Sequence, residues 1–224
     1  MKIDKRGPEH IDSAIVGELT HDDLHSFNNL LQGIIGLSEL LNCNPDLPPD
    51  ARTDSKVILE MAQNASDLIK RIRQASRVED AESETRVVEV TPDVEVPKPK
   101  SRSDVNILIV DDDPLVLKVV AGMLKAVGYS TITAQDGLEA LEKYKENPDK
   151  VSLVLSDLAM PRMSGLQLAE EMLADNPNMK IIIMSGYMQE EPEIDPDEFG
   201  LAAWLEKPMT AARLTAVIQP LVGV

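Results

Sequence analysis

Five short apolar segments alternate with amphipathic segments over the second half of the chain, and this alternation constrains the fold more than any other feature. The segments are continuously apolar, which predicts strands buried on both faces of a parallel sheet. They read VNILIV (105–110), STITA (130–134), VSLVLS (151–156), KIIIM (180–184) and AAWLE (202–206). The segments between the first four strands repeat apolar residues at three- and four-residue spacing, as helices do. Residues 105–224 are therefore predicted to form an open, doubly wound α/β domain of the (βα)5 type.

Charged and hydroxyl side chains stand where these strands end. The first strand leads into Asp111, Asp112 and Asp113, the third into Asp157, the fourth into Ser185 and the fifth into Lys207. Because the carboxyl ends of parallel strands meet at one edge of the sheet, we expect these side chains to converge. Converging carboxylates repel one another unless a cation neutralises them, and their oxygen atoms suit Mg²⁺. Each aspartate alone is better explained as a helix cap or a turn residue, so the prediction of a phosphoryl-accepting site depends on the whole set.

The segments ILIVDDDP, VLSDLAMPRMSGLQL, IIIMSGY and WLEKPM resemble the receiver domain of bacterial response regulators. The resemblance implies that Asp157 is the phosphoacceptor and that the cofactor is Mg²⁺ (or Mn²⁺). It implies that Asp112 and Asp157 bind the ion directly, that Asp111 acts partly through water, and that the backbone carbonyl of Ala159 completes the protein ligands.

The same resemblance assigns roles to residues of the last two strands. Ser185 and Lys207 would contact the phosphoryl group, and Trp204 would occupy the aromatic switch position, although core packing explains Trp204 equally well. The Lys207–Pro208 bond is expected to be cis, as in the family. The prolines within residues 189–200 would break the helix that the family has there. The sequence therefore does not identify the surface through which the receiver would signal.

The first part of the chain predicts a helical hairpin. Two segments, THDDLHSFNNLLQGIIGLSELL and SKVILEMAQNASDLIKRIRQAS, show the spacing of a bundle seam and are joined by the turn-forming NCNPDLPPDA. Two helices alone have too small a core to be stable, so we expect a homodimer whose hairpins form a four-helix bundle. Residues 79–104 are rich in charge, proline and serine and predict a flexible linker between domains 1–78 and 105–224.

The hairpin, with the motif HSFNNLL in its first helix, resembles the dimerisation and histidine-phosphotransfer domain of sensor histidine kinases over about residues 10–77. The resemblance is strongest to hybrid histidine kinases. The resemblance implies that His25 is the phosphorylated histidine and that Asn29, one turn later, positions water. Ser26 stands where the family has an acid, and His21 with Asp22 is the alternative register. Zn²⁺ binding by His21 and His25 is disfavoured because no further ligand set is evident nearby.

Composition narrows the function classes. A net charge of −17 argues against nucleic-acid and anionic-membrane binding. The absence of a signal peptide or an apolar stretch of spanning length, and a single cysteine, Cys43, predict a cytoplasmic protein without internal disulfides. The eleven glycines form no Gly-x-Gly motif, so no ATP site of the kinase family fits within the sequence. Enzymatic activity is left open, limited to phosphotransfer and self-dephosphorylation.

These observations predict a two-component phosphorelay protein that takes a phosphoryl group on Asp157 from a sensor histidine kinase or a phosphotransfer protein. It would exchange that group with His25, in a direction the sequence leaves open. Two alternatives stand beside this one. In the first, His25 is degenerate and the hairpin is a docking element for a histidine kinase, with the receiver switching that contact. In the second, the hairpin removes phosphate from the receiver through Asn29.

Overall fold

A computed structural model describes residues 21–76, 102–186 and 199–223, without the side chains of residues 21, 22 and 72–76. Most of the expected linker and of the proline-containing segment at 189–200 lie outside these residues. Within the described part, no helix is long and apolar enough to cross a membrane.

The second half of the chain forms a five-stranded parallel sheet in the order β2-β1-β3-β4-β5. The strands are β1 Asn106–Val110, β2 Ser130–Ala134, β3 Leu153–Asp157, β4 Ile181–Ser185 and β5 Ala203–Glu206. The prediction of a doubly wound α/β fold for the second half of the chain is confirmed. Two strands end one residue later than predicted, because Asp157 pairs with Met184 and Ser185 pairs with Glu206. Asp157 and Ser185 are thus the last residues of their strands rather than the first residues of the loops.

Four helices of this domain are described, and side chains at their amino ends begin them. The helices are α3 Pro114–Ala126, α4 Gly137–Glu146, α5 Gly165–Asp175 and α6 Ala211–Val222. Asp113 and Asp136 accept backbone N–H groups at the starts of α3 and α4, and Ser164 forms a reciprocal capping box with Gln167. Gly128 follows α3 with a φ of 97°, which lets the chain turn sharply into β2.

Alternate residues of the strands face two separate apolar clusters, one on each side of the sheet. Leu108 and Val154 pack with α4 and α5, whereas Ile107 and Leu153 pack with α3 and α6. This period of two follows from the pleat of the strands. Burial on both faces is the reason that the strands are continuously apolar.

The first part of the chain contributes two helices, α1 His21–Cys43 and α2 Pro49–Ser76, joined by a turn at residues 44–48. We call α1 and α2 together the helical pair. The helices pack against each other, and the Ser55 hydroxyl of α2 donates a buried hydrogen bond of 3.0 Å to the carbonyl of Ser38 in α1.

The helical pair packs on the sheet domain, which the sequence analysis did not predict. Leu31, Ile35 and Ala62 belong to the same apolar cluster as residues of α3. The helix axes approach closely through glycine, since a Cβ atom on Gly36 would overlap Val119 of α3. Several large apolar side chains on the outward side of the pair remain exposed, among them Phe27, Leu30, Ile34, Leu37, Leu41, Ile58, Met61 and Leu68. These eight residues are called the outer apolar face.

Candidate functional site

The predicted acidic side chains and the lysine meet at the carboxyl edge of the sheet. The Nζ atom of Lys207 lies 2.7 Å from Oδ2 of Asp111 and 2.5 Å from Oδ1 of Asp157. All three side chains are buried. The structure therefore joins the ends of β1, β3 and β5 by one ammonium group that pairs with two carboxylates.

The cluster contains more carboxylates than the single ammonium group of Lys207 can neutralise, and burial and mutual repulsion disfavour their charged forms. Burial raises the pKa of Asp111 to about 6, and the Asp157 carboxylate adds to the rise, although Lys207 opposes it. The pKa of Asp112 is also raised, first by burial and then by Asp157. Burial lowers the pKa of Lys207, but the carboxylates of Asp157 and Asp111 outweigh it, so the net shift is upward. Three carboxylates facing one lysine favour a bound divalent cation.

The oxygen ligands at this edge suit Mg²⁺ better than they suit a metal ion whose ligands are all protein side chains. Among the described residues, no three or more His, Cys, Asp or Glu side chains lie together as a metal cage. Mg²⁺ usually keeps several waters and takes only one or two carboxylates from the protein. Asp112, Asp157 and the carbonyl of Ala159 would supply such a partial set, with Asp111 acting through water.

Local backbone geometry holds the carboxylates in place. The N–H of Asp113 donates to Oδ1 of Asp111 at 2.9 Å, and the N–H of Ala159 donates to Oδ2 of Asp157 at 3.1 Å. The loop after β3 folds back so tightly that a Cβ atom on Gly165 would overlap the carbonyl of Asp157. Glycine at this position therefore allows α5 to start directly beneath the site.

The residues predicted to sense a phosphoryl group lie on the neighbouring strands. Ser185 is buried, and its carbonyl accepts the N–H of Lys207 at 2.7 Å. The Lys207–Pro208 peptide bond is cis, as expected. Trp204 pairs in register with Ile183 and packs at the edge of the apolar cluster under α4 and α5. Its buried Nε1 has no hydrogen-bond partner among the described residues.

The helical pair lies across the same edge of the sheet, which places His25 near the acidic cluster. Positive charge on His25 would lower the pKa of Asp112, a smaller effect than those of burial and of Asp157. The Nε2 atom of His25 is buried and has no hydrogen-bond partner in the described part of the chain. The same holds for Oδ1 of Asn29, one turn further on. Ser26 is exposed, and the side chain of His21 is not described.

Polar contacts that the sequence analysis missed hold the helical pair on this edge. Asn28 donates to the carbonyl of Gly186 at 3.2 Å, and Gln32 pairs with the backbone of Met209. The carboxylate of Glu39 accepts the N–H of Ala211 at 2.9 Å, and Lys70 of α2 pairs with Glu206 at 3.1 Å. A signal for these contacts was present in the sequence. His25, Asn28, Gln32 and Glu39 follow one another at three-, four- and seven-residue spacing on one side of α1.

The domain is a doubly wound α/β fold with acidic residues, a hydroxyl and a lysine at the carboxyl edge of its parallel sheet. Residues 107–219, just over half of the chain, match the response regulator receiver domain. The chain therefore belongs to the response regulator receiver family.

Individual relatives agree with this assignment. Transcriptional regulatory protein GlrR of Escherichia coli K12 is 37% identical over 109 residues, which are 49% of this chain and 24% of that protein. Chemotaxis protein CheY of Treponema pallidum is 38% identical over 86 residues, 38% of this chain and 60% of that protein. The chain thus spans about a quarter of the length of the transcriptional regulators that it matches.

Solved structures show the same fold. A response regulator receiver domain protein from Clostridium thermocellum superposes with a TM-score of 0.50 at 29% identity, over 53% of this chain and 94% of that one. The CheX–CheY–BeF3–Mg²⁺ complex from Borrelia burgdorferi gives a TM-score of 0.50 at 28% identity, over 52% of this chain and 88% of that one. Both superpositions cover about the length of the receiver domain.

Proposed function

We propose that this protein is a phosphorelay component in which Asp157 accepts a phosphoryl group and exchanges it with His25 of the helical pair. One observation carries the proposal. Helix α1 is already seated across the receiver site: His25 lies one turn before Asn28, which binds the residue after Ser185, and the Nε2 atom of His25 is buried and unpaired among the described residues. If His25 were only a surface residue, both of its ring nitrogen atoms would be expected to be exposed to water.

Acceptance by Asp157 requires that the charge on the transferring group be balanced. An Asp157 carboxylate oxygen attacks phosphorus of the donor, and the bond from phosphorus to the donor's leaving oxygen or nitrogen breaks with its electron pair. Mg²⁺, held by Asp112, Asp157 and the Ala159 carbonyl, would supply positive charge, as the Mg²⁺ in the CheY complex suggests. Lys207 would turn from the carboxylate oxygen to the phosphoryl oxygens, and the Ser185 hydroxyl would donate to them.

Exchange with His25 needs no ATP. The Nε2 lone pair attacks phosphorus of the Asp157 acyl phosphate, the bond from phosphorus to the Asp157 oxygen breaks, and its electron pair restores the carboxylate. The imidazole keeps its proton on Nδ1. Because Asp157 and His25 lie in one folded unit, the transfer step is unimolecular and does not depend on diffusional encounter of the two groups. The Ser26 departure from the kinase pattern weakens catalysis with ATP more than this step, because an acyl phosphate is already activated.

One observation favours a second function. The buried Oδ1 of Asn29 lacks a partner among the described residues and lies one turn from His25. It could orient a water molecule towards phosphorus on Asp157, in which case the helical pair would act as a phosphatase of its own receiver. The two functions differ in whether phosphate appears on His25 or only in solution.

We further propose that the protein is a homodimer and that its phosphoryl donor is a histidine kinase or a phosphotransfer protein. The outer apolar face lies away from the receiver, and a second copy of the same face would bury it in a four-helix bundle. Met61 is 66% exposed and Leu30 is 57% exposed, although both lie in helices that already bury their other side.

Labelling of the purified protein with Mg²⁺ and radioactive acetyl phosphate tests the function. Wild type, Asp157→Ala, His25→Ala and Asn29→Ala would be compared, with acid and hydroxylamine lability separating phosphohistidine from phosphoaspartate. The relay predicts two kinds of label in wild type and none in Asp157→Ala. Label on Asp157 alone, with His25→Ala identical to wild type, would refute the relay. Slower phosphate release in Asn29→Ala alone would support the phosphatase.

A further inference from the structure

A glutamine of α1 is held at both ends of its side-chain amide by one residue of the receiver. The Gln32 side chain is completely buried. Its Oε1 accepts the N–H of Met209 at 2.7 Å, and its Nε2 donates to the carbonyl of Met209 at 3.2 Å. Such a two-point pairing specifies orientation as well as distance, because a shift in either direction weakens one of the two bonds.

The partner of Gln32 belongs to the segment that carries the site lysine. Met209 follows Lys207 by two residues, and Lys207 bridges Asp111 and Asp157. On the helix side, Gln32 follows His25 by seven residues. Seven residues correspond to a rise of about 10 Å and a rotation that returns to within about 20° of the same face. Gln32 therefore connects the His25 side of α1 directly to the Lys207 segment.

Asn28 provides a second polar contact on the same side of the helix. It lies between His25 and Gln32 and donates to Gly186, the residue after Ser185. Slipping α1 by one residue would turn this side by about 100° and break the hydrogen bonds of both Asn28 and Gln32. The close contact of Gly36 with Val119 of α3 also opposes such a slip sterically, but apolar packing itself is non-directional. The polar pairs therefore set the register of α1 on the receiver together with the contact at Gly36, and the pair made by Gln32 is the most buried of them.

We propose that Gln32 is a positioning residue for phosphoryl exchange between Asp157 and His25, an inference that rests on the proposed function. Its pairing with Met209 sets the rotation and the height of α1, so that Nε2 of His25 faces phosphorus on Asp157. Gln32 touches neither reacting atom. Loss of the pairing slows the exchange by about 10- to 100-fold, the effect of a misplacement of about 1 Å, and leaves acceptance from a small donor unchanged.

Gln32→Met in the full-length protein is the main test, because it keeps the length of the side chain and removes both hydrogen bonds. Two rates are measured, the loading of Asp157 from acetyl phosphate and the appearance of label on His25. Ser55→Ala is the matched control, since it removes a buried hydrogen bond within the helical pair without touching the receiver. We expect only Gln32→Met to slow the second rate, with the first rate equal in all three proteins.

Gln32→Glu adds a pH profile that a purely structural role would not produce. A neutral carboxyl has one acceptor and one donor, as the amide has, whereas a carboxylate can only accept. We expect exchange to be slow at pH 8 and to return to the wild-type rate as the introduced carboxyl gains its proton at lower pH. Among the described residues, the titratable groups on the elements that pack together here include His25 and Glu39 of α1, Lys70 of α2, and Glu206, Lys207, Asp111 and Asp157 of the receiver. They are common to both proteins, so rates relative to wild type at each pH cancel their titration.

Two results would overturn the inference: exchange in Gln32→Met at the wild-type rate, or a pH profile of Gln32→Glu parallel to that of wild type. If wild type itself never labels His25, the proposed function fails separately. The Met209 amide then decides the inference, through its hydrogen exchange measured by NMR. Faster exchange of this amide in Gln32→Met than in Ser55→Ala supports a register role for Gln32, and equal exchange in the two variants refutes it.

Discussion

Replacing Gly36 by alanine is predicted to unseat the helical pair from the receiver without affecting the receiver itself. The added Cβ atom would overlap Cγ1 of Val119 and lie 2.8 Å from Cε of Met123, whereas carbon atoms in contact are about 3.5–4.0 Å apart. Val119 is β-branched and cannot rotate away within a helix, so α1 must retreat by on the order of 1 Å or more. Overpacking of this kind costs about 1–3 kcal/mol, against a gain in helix propensity of about 1 kcal/mol.

The assay compares transfer from Asp157 to His25 with loading of Asp157 from acetyl phosphate. We expect Gly36→Ala to slow transfer by about 100-fold and to leave loading within about twofold of wild type. Gly33→Ala is the graded control, because its Cβ would lie 2.8 Å from Cδ2 of Leu115, the movable end of a flexible side chain. Adding Val119→Ala to Gly36→Ala should restore transfer. Equal transfer rates in Gly36→Ala and wild type would show that the transfer does not depend on the packing of the helical pair on the receiver, and would refute this account.

Three further predictions concern the acidic cluster and the outer apolar face. Because burial raises the pKa of Asp111 to about 6, protons compete with Mg²⁺ below that pH. The affinity for Mg²⁺, measured from the rise of the thermal unfolding temperature with Mg²⁺ concentration, should weaken there by about tenfold per pH unit. A constant affinity from pH 7 to pH 5 would contradict this prediction. Lys207→Met leaves two buried carboxylates without their partner and should lower the free energy of unfolding in urea at pH 7 by about 3–5 kcal/mol. Added Mg²⁺ should recover part of that loss. Leu30→Glu should shift light-scattering masses from dimer towards monomer, whereas Leu138→Glu, exposed on α4, should not, and equal masses would argue against the outer apolar face as the dimer contact.

The receiver half was predictable because its local signals and its global fold agree. Continuous apolar strands, caps such as Asp113 and the residues at the strand ends each indicate the same parallel sheet. The predicted strand bounds differ from the structure by one or two residues, because pairing with a neighbour, as between Asp157 and Met184, decides where a strand ends.

The seating of the helical pair on the receiver could not be predicted in the same way. Its contacts join residues more than a hundred positions apart, such as Gln32 and Met209, and nothing local in either segment indicates the partner. The apolar spacing of α1 and α2 drew attention to the side of the helices that remains exposed. The polar side, with His25, Asn28 and Gln32, was visible as a pattern but had no assigned neighbour until the fold was known.

The central claim is that Asp157 and His25 exchange a phosphoryl group within one folded assembly. The most direct test loads wild type with radioactive acetyl phosphate, removes the donor rapidly and follows label on both residues over a hundredfold range of protein concentration, all above the dimer dissociation constant. We predict that label leaves Asp157 and appears on His25 with a rate independent of concentration. A rate proportional to protein concentration, or label that leaves Asp157 only as inorganic phosphate, would contradict the account.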